Sequence, residues 1–383
     1  MRVLQVVNSI VGKKGNIGVR TDHINKTLLE QGYSVDCICR GYISNSNLNY
    51  KEKLNVYSMG LLGYIPRILN ASRRFLPFFD HRPLDIAIFN IFFLFIFKFK
   101  KLEKNFDVVH LWEYSPFIIK FFQKRGLKVI LEIPIAPAAY AFNLNRKKKL
   151  FKVFKWHIKN EYSSFLLADY LITPSEFVKQ EVCKLKIIES KILKVEFGVD
   201  INHKVDLSKK INEKQIHFCF AGAINQRKGI NELLDVWNDD VFGDDYLHLC
   251  GNVNYKMQKR INSIKKDNII TPGFVDIFSY LQKCDVFVFP SWMEGSSKAI
   301  YDAMSSGLPS IVTKPSGSII RDGTDGFIID AGDKNELFNK MIWFKENPNR
   351  IKDMGRNAKD YSKSFSWEGY ARRIINIYHQ VNN

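Results

Sequence analysis

The feature that most constrains this chain is an alternation that runs through it twice. Strand-length apolar runs recur, each followed by a glycine-containing turn and a segment with helical spacing. Residues 3–7 (VLQVV) open the first cycle, residues 12–20 (GKKGNIGVR) form a glycine-rich turn, INKTLLEQG stops at Gly32, and YSVDCICRG follows as a second strand. Further strand candidates lie at 107–112 (DVVHLW), 128–133 (KVILEI) and 169–174 (DYLITP), separated by basic segments of helix length. Near-continuous apolar strands alternating with helices require a parallel sheet wrapped on both faces.

The second half repeats the pattern. IHFCFAG (216–222) is a strand entering a turn, and GINELLDVW carries apolar residues at helical spacing. YLHLCG (246–251), NIITPGFV (268–275), DVFVFP (285–290) and LPSIVT (308–313) continue it, and FSWEGYARRIINIYHQ is an amphipathic helix candidate near the end. A chain of 383 residues suits two domains. The reading is an α/β protein of two Rossmann-like halves joined near residues 197–199.

Charge separates the halves. Residues 1–200 hold 32 Lys and Arg against 17 Asp and Glu, a net of +15, whereas residues 201–383 hold 25 against 22, a net of +3. A basic half matches nucleic acid, anionic lipid or a phosphorylated substrate, or is simply a lysine-rich solvated surface. No basic-aromatic recognition motif supports nucleic acid. Residues 62–105 hold Arg67, Arg73, Arg74, Phe75, Phe78, Phe79 and Arg82, then the apolar run 86–97, then Lys98, Lys100 and Lys101. This suits docking on an anionic membrane surface, with a buried helix as the rival reading. The run has 12 residues where a span needs about 20, and the N-terminus reads as a strand and not as a signal peptide. A cytoplasmic protein, peripheral on the inner face of a membrane, is expected. The six cysteines lack C-x-x-C spacing and read as buried free thiols.

Three segments could carry chemistry. In AGAINQRKGI (221–230) a strand ends at Gly222, and Arg227 and Lys228 stand just before a helix, a placement that suits a diphosphate: Arg grips it bidentately, Lys adds a point charge, and the helix start adds N–H donors. In PSWMEGSSKAIYDAMSSGLPSIV (290–312), Glu294 sits at a helix mouth and Asp302 lies eight residues on, a little over two turns. Two such carboxylates can bond hydroxyls at both ends of one ligand, for example a sugar and a ribose, while Gly295, Ser296 and Ser297 present amides. An N-cap and a solvated helix Asp are the plainer alternative. The turn at 12–20 has G-x-x-G-x-x-G spacing, which disfavours a nicotinamide cofactor.

In order and spacing, AGAINQRKG, LHLCG, ITPGFVD, CDVFVFPSWMEGSSKAIYDAMSSGLPSIVT and GTDGFIID resemble the retaining GT-B glycosyltransferases of family four, the group 1 type. The resemblance implies two Rossmann-like domains facing across a cleft, with a C-terminal helix crossing back: residues 1–197 plus 366–383 as the acceptor and membrane-facing domain, and 198–365 as the donor domain. It implies that Arg227 and Lys228 neutralise the donor diphosphate, that Glu294 holds donor-sugar hydroxyls, and that Asp302 replaces the usual Glu on the ribose. Gly222, Gly251 and the segment from Gly295 to Lys298 would bring backbone to the donor, Phe274 and Val275 would meet the base, and Gly15 and Gly18 would approach the diphosphate. His110 matches a common family histidine and is a catalytic candidate, with a core or supporting histidine as the alternative. Glu113 and Glu132 are acceptor-side candidates, the latter standing where many members carry a histidine.

The implied reaction moves a hexose-type sugar from a UDP- or GDP-linked donor to a lipid-linked or oligosaccharide acceptor in bacterial surface polysaccharide synthesis. No cofactor and no metal are expected. A sugar-nucleotide epimerase of the same fold and a non-catalytic homologue are the alternatives.

Overall fold

The computed structural model describes residues 1–11, 16–42, 54–60, 82–102, 106–144, 151–201 and 215–382. Two compact units result, one of Met1–Val195 with Glu368–Asn383, the other of Glu196–Trp367.

The first unit runs β1 (Arg2–Val11), α1 (Asn16–Glu30), β2 (Ser34–Tyr42), β3 (Leu54–Ser58), α2 (Arg82–Phe99), β4 (Val108–Leu111), α3 (Pro116–Gln123), β5 (Val129–Glu132), α4 (Ala138–Leu144), α5 (Phe151–Leu167), β6 (Tyr170–Thr173), α6 (Glu176–Lys184) and β7 (Ile192–Lys194). Its sheet is ordered β3-β2-β1-β4-β5-β6-β7, with Val3 paired to Val35 on one side and to Val108 on the other, both in parallel. Every residue of β4 and β5 is buried. That follows from apolar strands covered on both faces, and it carries His110 and Glu132 into the interior with them. Helix starts are written locally: the Ser115 and Ser175 hydroxyls accept from the amides of Ile118 and Val178, capping α3 and α6.

The apolar run at 86–97 lies in α2 and serves two faces. Phe89, Phe93 and Phe97 are buried at four-residue spacing, and Phe93 and Phe97 meet Phe121 and Phe122 of α3, the Phe93–Phe121 centroids 5.2 Å apart. Leu84, Ile91, Leu94, Phe95 and Phe99 of the same helix are exposed. The buried-helix reading therefore holds for one face only. Arg67, Arg73, Arg74, Phe75, Phe78 and Phe79 lie outside the described residues.

The second unit runs β8 (His217–Ala221), α7 (Ile230–Trp237), β9 (Tyr246–Cys250), α8 (Tyr255–Asn262), β10 (Ile269–Gly273), α9 (Ile277–Leu281), β11 (Val286–Phe289), α10 (Lys298–Ser305), β12 (Ser310–Thr313), β13 (Gly326–Ile329), α11 (Lys334–Glu346) and α12 (Pro348–Ser362). Its parallel sheet is ordered β10-β9-β8-β11-β12-β13. A last helix, α13 (Trp367–Asn382), begins in this unit and from Glu368 onward belongs to the first. Both units are Rossmann-like. Strand order reverses between β1 and β4 in one sheet and between β8 and β11 in the other, and open parallel sheets bind ligands beyond the carboxyl ends of the strands flanking such a reversal.

Among the described residues no helix is long and apolar enough to cross a membrane. All six cysteines are free thiols, and only Cys183 is not buried.

Candidate active site

The segments leaving β8 and β11 converge at the reversal point of the second sheet. After β8 the chain turns through Gly222 (φ +143°), and beside it the chain leaves β9 through Gly251 (φ +150°). A Cβ on Gly251 would stand 1.9 Å from the Gly222 carbonyl oxygen, so the two strand ends approach only as bare backbone. Asn225 caps the short 3-10 turn Gln226–Lys228 by accepting from the Lys228 amide. Gly229 (φ +72°) then enters α7, where a Cβ would stand 2.0 Å from the Pro290 carbonyl oxygen. That close approach, with Trp292 N donating to Arg227 O at 2.9 Å, ties the turn after β8 to the loop after β11.

Glu294 sits in that loop, its amide donating to Pro315 O at 2.8 Å. Its Oε1 accepts from Lys228 Nζ at 2.7 Å, from Arg227 Nη1 at 2.6 Å and from Ser291 Oγ at 2.9 Å. Its Oε2 accepts from no described residue. Lys228 also lies 4.7 Å from the Phe289 ring centroid, and burial pushes its ammonium below the ordinary lysine range despite the carboxylate beside it. Two cations about one carboxylate leave a local charge of +1, poised for an anion. Sequence alone gives no reason to choose Ser291; only the fold shows its hydroxyl aimed at Glu294.

Beside this cluster lies a cavity of about 380 Å³ lined by Gly222, Gly251, Phe274, Val275, Ala299 and Asp302, among others. Phe274 is 89% exposed, an aromatic face available for stacking. Asp302 is buried on α10, its Oδ1 2.6 Å from Lys298 Nζ. The structure thus brings together Gly222, Arg227, Lys228, Gly251, Phe274, Val275, Glu294, Lys298 and Asp302 in one region of one unit.

Some expectations are corrected. The Ser297 amide donates to Ser316 O at 3.2 Å, and the Ser296 hydroxyl is engaged with Tyr301 Oη and Gly317 O. Gly317 (φ +64°) packs so that a Cβ would stand 2.0 Å from the Gly295 carbonyl oxygen. These residues shape the loop, with the Ser297 amide and the Ser296 hydroxyl bonded inside it. Gly18 lies buried in the first turn of α1, which begins at Asn16, and is not part of a loop. Gly15 lies outside the described residues.

In the first unit His110 and Glu132 have no surface to offer an acceptor, at 0% and 1% exposure. His110 Nδ1 is 2.7 Å from Tyr378 Oη and its Nε2 is 3.2 Å from Glu132 Oε2. Glu132 pairs with the wholly buried Arg20, whose guanidinium lies 4.8 Å from the Trp112 ring centroid and donates to Tyr370 Oη. Glu132, expected on the acceptor side, is thus buried and paired in this structure, and His110 shares the same buried network. Burial, then the charge of Arg20, pushes the imidazole down to about 3, so it is neutral at neutral pH.

Glu113 stands differently. It follows β4 at the reversal point of the first sheet, partly exposed, bonded to Asn8 Nδ2 and accepting from the Tyr114 amide at 2.8 Å. Burial raises its carboxyl above the ordinary range. Sequence reading overlooks Glu161 on α5, which is 3% exposed, accepts from the Ala138 amide at 2.6 Å, and is pushed up to about 7 by burial.

Two family models match in succession: Glycosyltransferase Family 4 over residues 17–203 and Glycosyl transferases group 1 over residues 204–361. The chain belongs to the GT-B glycosyltransferases of family 4. It is 27% identical over 239 residues to an uncharacterised glycosyltransferase of Methanocaldococcus jannaschii, covering 59% of this chain and 66% of that protein. It is 26% identical over 277 residues to the UDP-Gal:alpha-D-GlcNAc-diphosphoundecaprenol alpha-1,3-galactosyltransferase of Escherichia coli, covering 64% and 68%. The chain thus spans about two thirds of the length of these curated relatives. Among solved structures, sucrose-phosphate synthase from Thermosynechococcus elongatus superposes with a TM-score of 0.75 over 100% of this chain and 99% of that one, at 16% identity. At that identity it speaks for the fold of this family-4 chain.

Proposed function

We propose that this family-4 protein transfers a hexose-type sugar from a nucleoside-diphosphate sugar to a lipid-linked or oligosaccharide acceptor, with retention at the anomeric carbon, in bacterial surface polysaccharide synthesis. The observation that carries the reading is the convergence of Arg227 and Lys228 on Glu294 beside the cavity lined by Phe274 and Asp302. The base stacks on Phe274, Asp302 takes the ribose, the diphosphate lies against Arg227 and Lys228, and the free Oε2 of Glu294 accepts from a sugar hydroxyl.

In the reaction the bond from the anomeric carbon to the diphosphate oxygen breaks and one to the acceptor oxygen forms on the same face. The departing phosphate takes the acceptor proton. Negative charge grows on the diphosphate as it leaves, and two fixed cations in a partly dry site stabilise that growth more than the ground state. No metal enters this account.

The relative that acts on a diphosphoundecaprenol-linked sugar supports a lipid-linked acceptor. The exposed apolar face of α2, with Lys98 in the last turn of the helix and Lys100 and Lys101 just beyond it, supports docking on the anionic inner face of the cytoplasmic membrane.

The test is a thermal-shift screen of nucleoside diphosphates, followed by transfer assays with the matching sugar donors. A bound ligand raises the melting temperature. A shift with UDP or GDP that is lost in Arg227→Gln/Lys228→Gln supports the reading. No shift with any nucleoside diphosphate overturns it, and release of an epimerised free sugar without an acceptor replaces transfer by epimerisation.

A further inference from the structure

A second cavity, of about 480 Å³, lies wholly within the first unit, between α3 and α5. Its lining comes from one stripe of each helix. Pro116 and Lys120 are one turn apart on α3, and Trp156, Lys159, Ser163 and Leu166 follow at three- and four-residue spacing along α5. Its chemistry is divided. Lys120 and Lys159 supply two ammonium groups, neither with a carboxylate partner among the described residues, and no acidic side chain lines the groove. Trp156, Pro116 and Leu166 supply apolar surface, and Phe117, Tyr162 and Leu166 on the same two helices are exposed. A site for a free phosphate has no use for the apolar part, and a purely apolar ligand leaves both cations unanswered. The volume falls within the range typical of small-molecule sites.

We propose that this groove binds the lipid-linked acceptor at its isoprenoid diphosphate, Lys120 and Lys159 holding the phosphates and Trp156, Pro116 and Leu166 taking the first isoprenoid units. The inference rests on the glycosyl-transfer reading for the identity of the lipid as acceptor, but its residues are separate from the Arg227, Lys228 and Glu294 cluster. Two cations against a diphosphate and an aromatic against the hydrocarbon divide the recognition between charge and apolar burial.

Farnesyl diphosphate, a short soluble isoprenoid diphosphate, is the probe. It is titrated calorimetrically into the full-length protein, with inorganic pyrophosphate and farnesol as the half-ligands. The expected result is that farnesyl diphosphate binds at least tenfold more tightly than either half, and that Lys120→Gln/Lys159→Gln lowers its affinity at least tenfold with an unchanged melting curve. Both lysines are exposed, so the variant is expected to fold. Because the donor site also takes a diphosphate, the titration is repeated in Arg227→Gln/Lys228→Gln, where affinity should stay within threefold. Three results overturn the proposal: full affinity in the Lys120/Lys159 variant, loss of affinity in the Arg227/Lys228 variant, or pyrophosphate binding as tightly as the lipid. Failure of nucleoside diphosphates to bind would overturn the donor reading and leave this titration unaffected.

Discussion

Lys228 Nζ and Glu294 Oε1 lie 2.7 Å apart, although they come from loops after two different strands of the second sheet. The carboxylate holds the ammonium in place before any ligand arrives. Glu294→Gln keeps the shape and removes the charge, and it leaves a largely buried ammonium without its counter-ion. Transfer is expected to fall by roughly 10²–10³ in kcat/KM, the size seen when one stabilising group is removed from a reacting centre. Steady-state kinetics with the cognate donor would read it. Unchanged kinetics would remove Glu294 from the chemistry.

Gly251→Ala should cost both stability and donor binding. The backbone there has φ +150°, and a Cβ would meet the Gly222 carbonyl oxygen at 1.9 Å, a rigid neighbour. Strain of this kind costs on the order of 1–3 kcal/mol, and separating the ends of β8 and β9 deforms the cavity floor. Differential scanning calorimetry with and without nucleoside diphosphate checks it, and a wild-type melting temperature contradicts it.

The His110 network predicts a loss of stability in acid. The folded imidazole is held down to about 3 against an ordinary value of about 6.5. The unfolded chain therefore binds the extra proton first, and the stability contributed by this group, full above pH 6.5, is lost as pH falls toward 3. Melting curves of the wild type and His110→Gln should converge or cross as the pH drops below 6.5. A constant gap between pH 7.5 and 4.5 would contradict the prediction.

Glu161 works in the opposite sense. Its folded carboxyl is pushed up to about 7, so the folded chain keeps a proton that the unfolded chain has released. Stability from this group is full below about 4.5 and is lost as pH rises toward 7. Glu161→Gln, which still accepts from the Ala138 amide, should become more stable than the wild type at pH 8 and not at pH 4.5, by on the order of 1–3 kcal/mol. Chemical denaturation at the two pH values reads the difference, and equal differences at both would refute it.

Turnover should survive chelation. The charge on the departing diphosphate is assigned to Arg227 and Lys228, so EDTA should leave the rate within about twofold. Loss of activity restored by manganese would show that the cations need a metal beside them.

Much of the second unit's architecture was readable from the sequence because it is local. Strand-length apolar runs located β8, β9, β11 and β12 within a residue or two, and Glu294 does stand just before a helix, which begins at Lys298. What stayed hidden is long-range or depends on side-chain direction. Nothing near Arg20 in sequence signals that it pairs with Glu132 or meets Tyr370, since those partners arrive from a strand and a helix far along the chain. The amides of the loop at 295–298 looked open to a ligand, but the segment around Ser316, itself unremarkable in sequence, engages the Ser297 amide. The run at 86–97 could not reveal that one of its faces packs and the other stays bare, because both faces are equally apolar.

The helix α13 also makes the first unit discontinuous along the chain. Glu196–Trp367 is one contiguous stretch, whereas Met1–Val195 is joined by residues from Glu368 onward, which bring Tyr370 and Tyr378 to the buried Arg20 and His110. Cutting the chain before Tyr370 would therefore strip two interior polar groups of their hydroxyl partners, so damage to the last helix is felt by side chains hundreds of positions away.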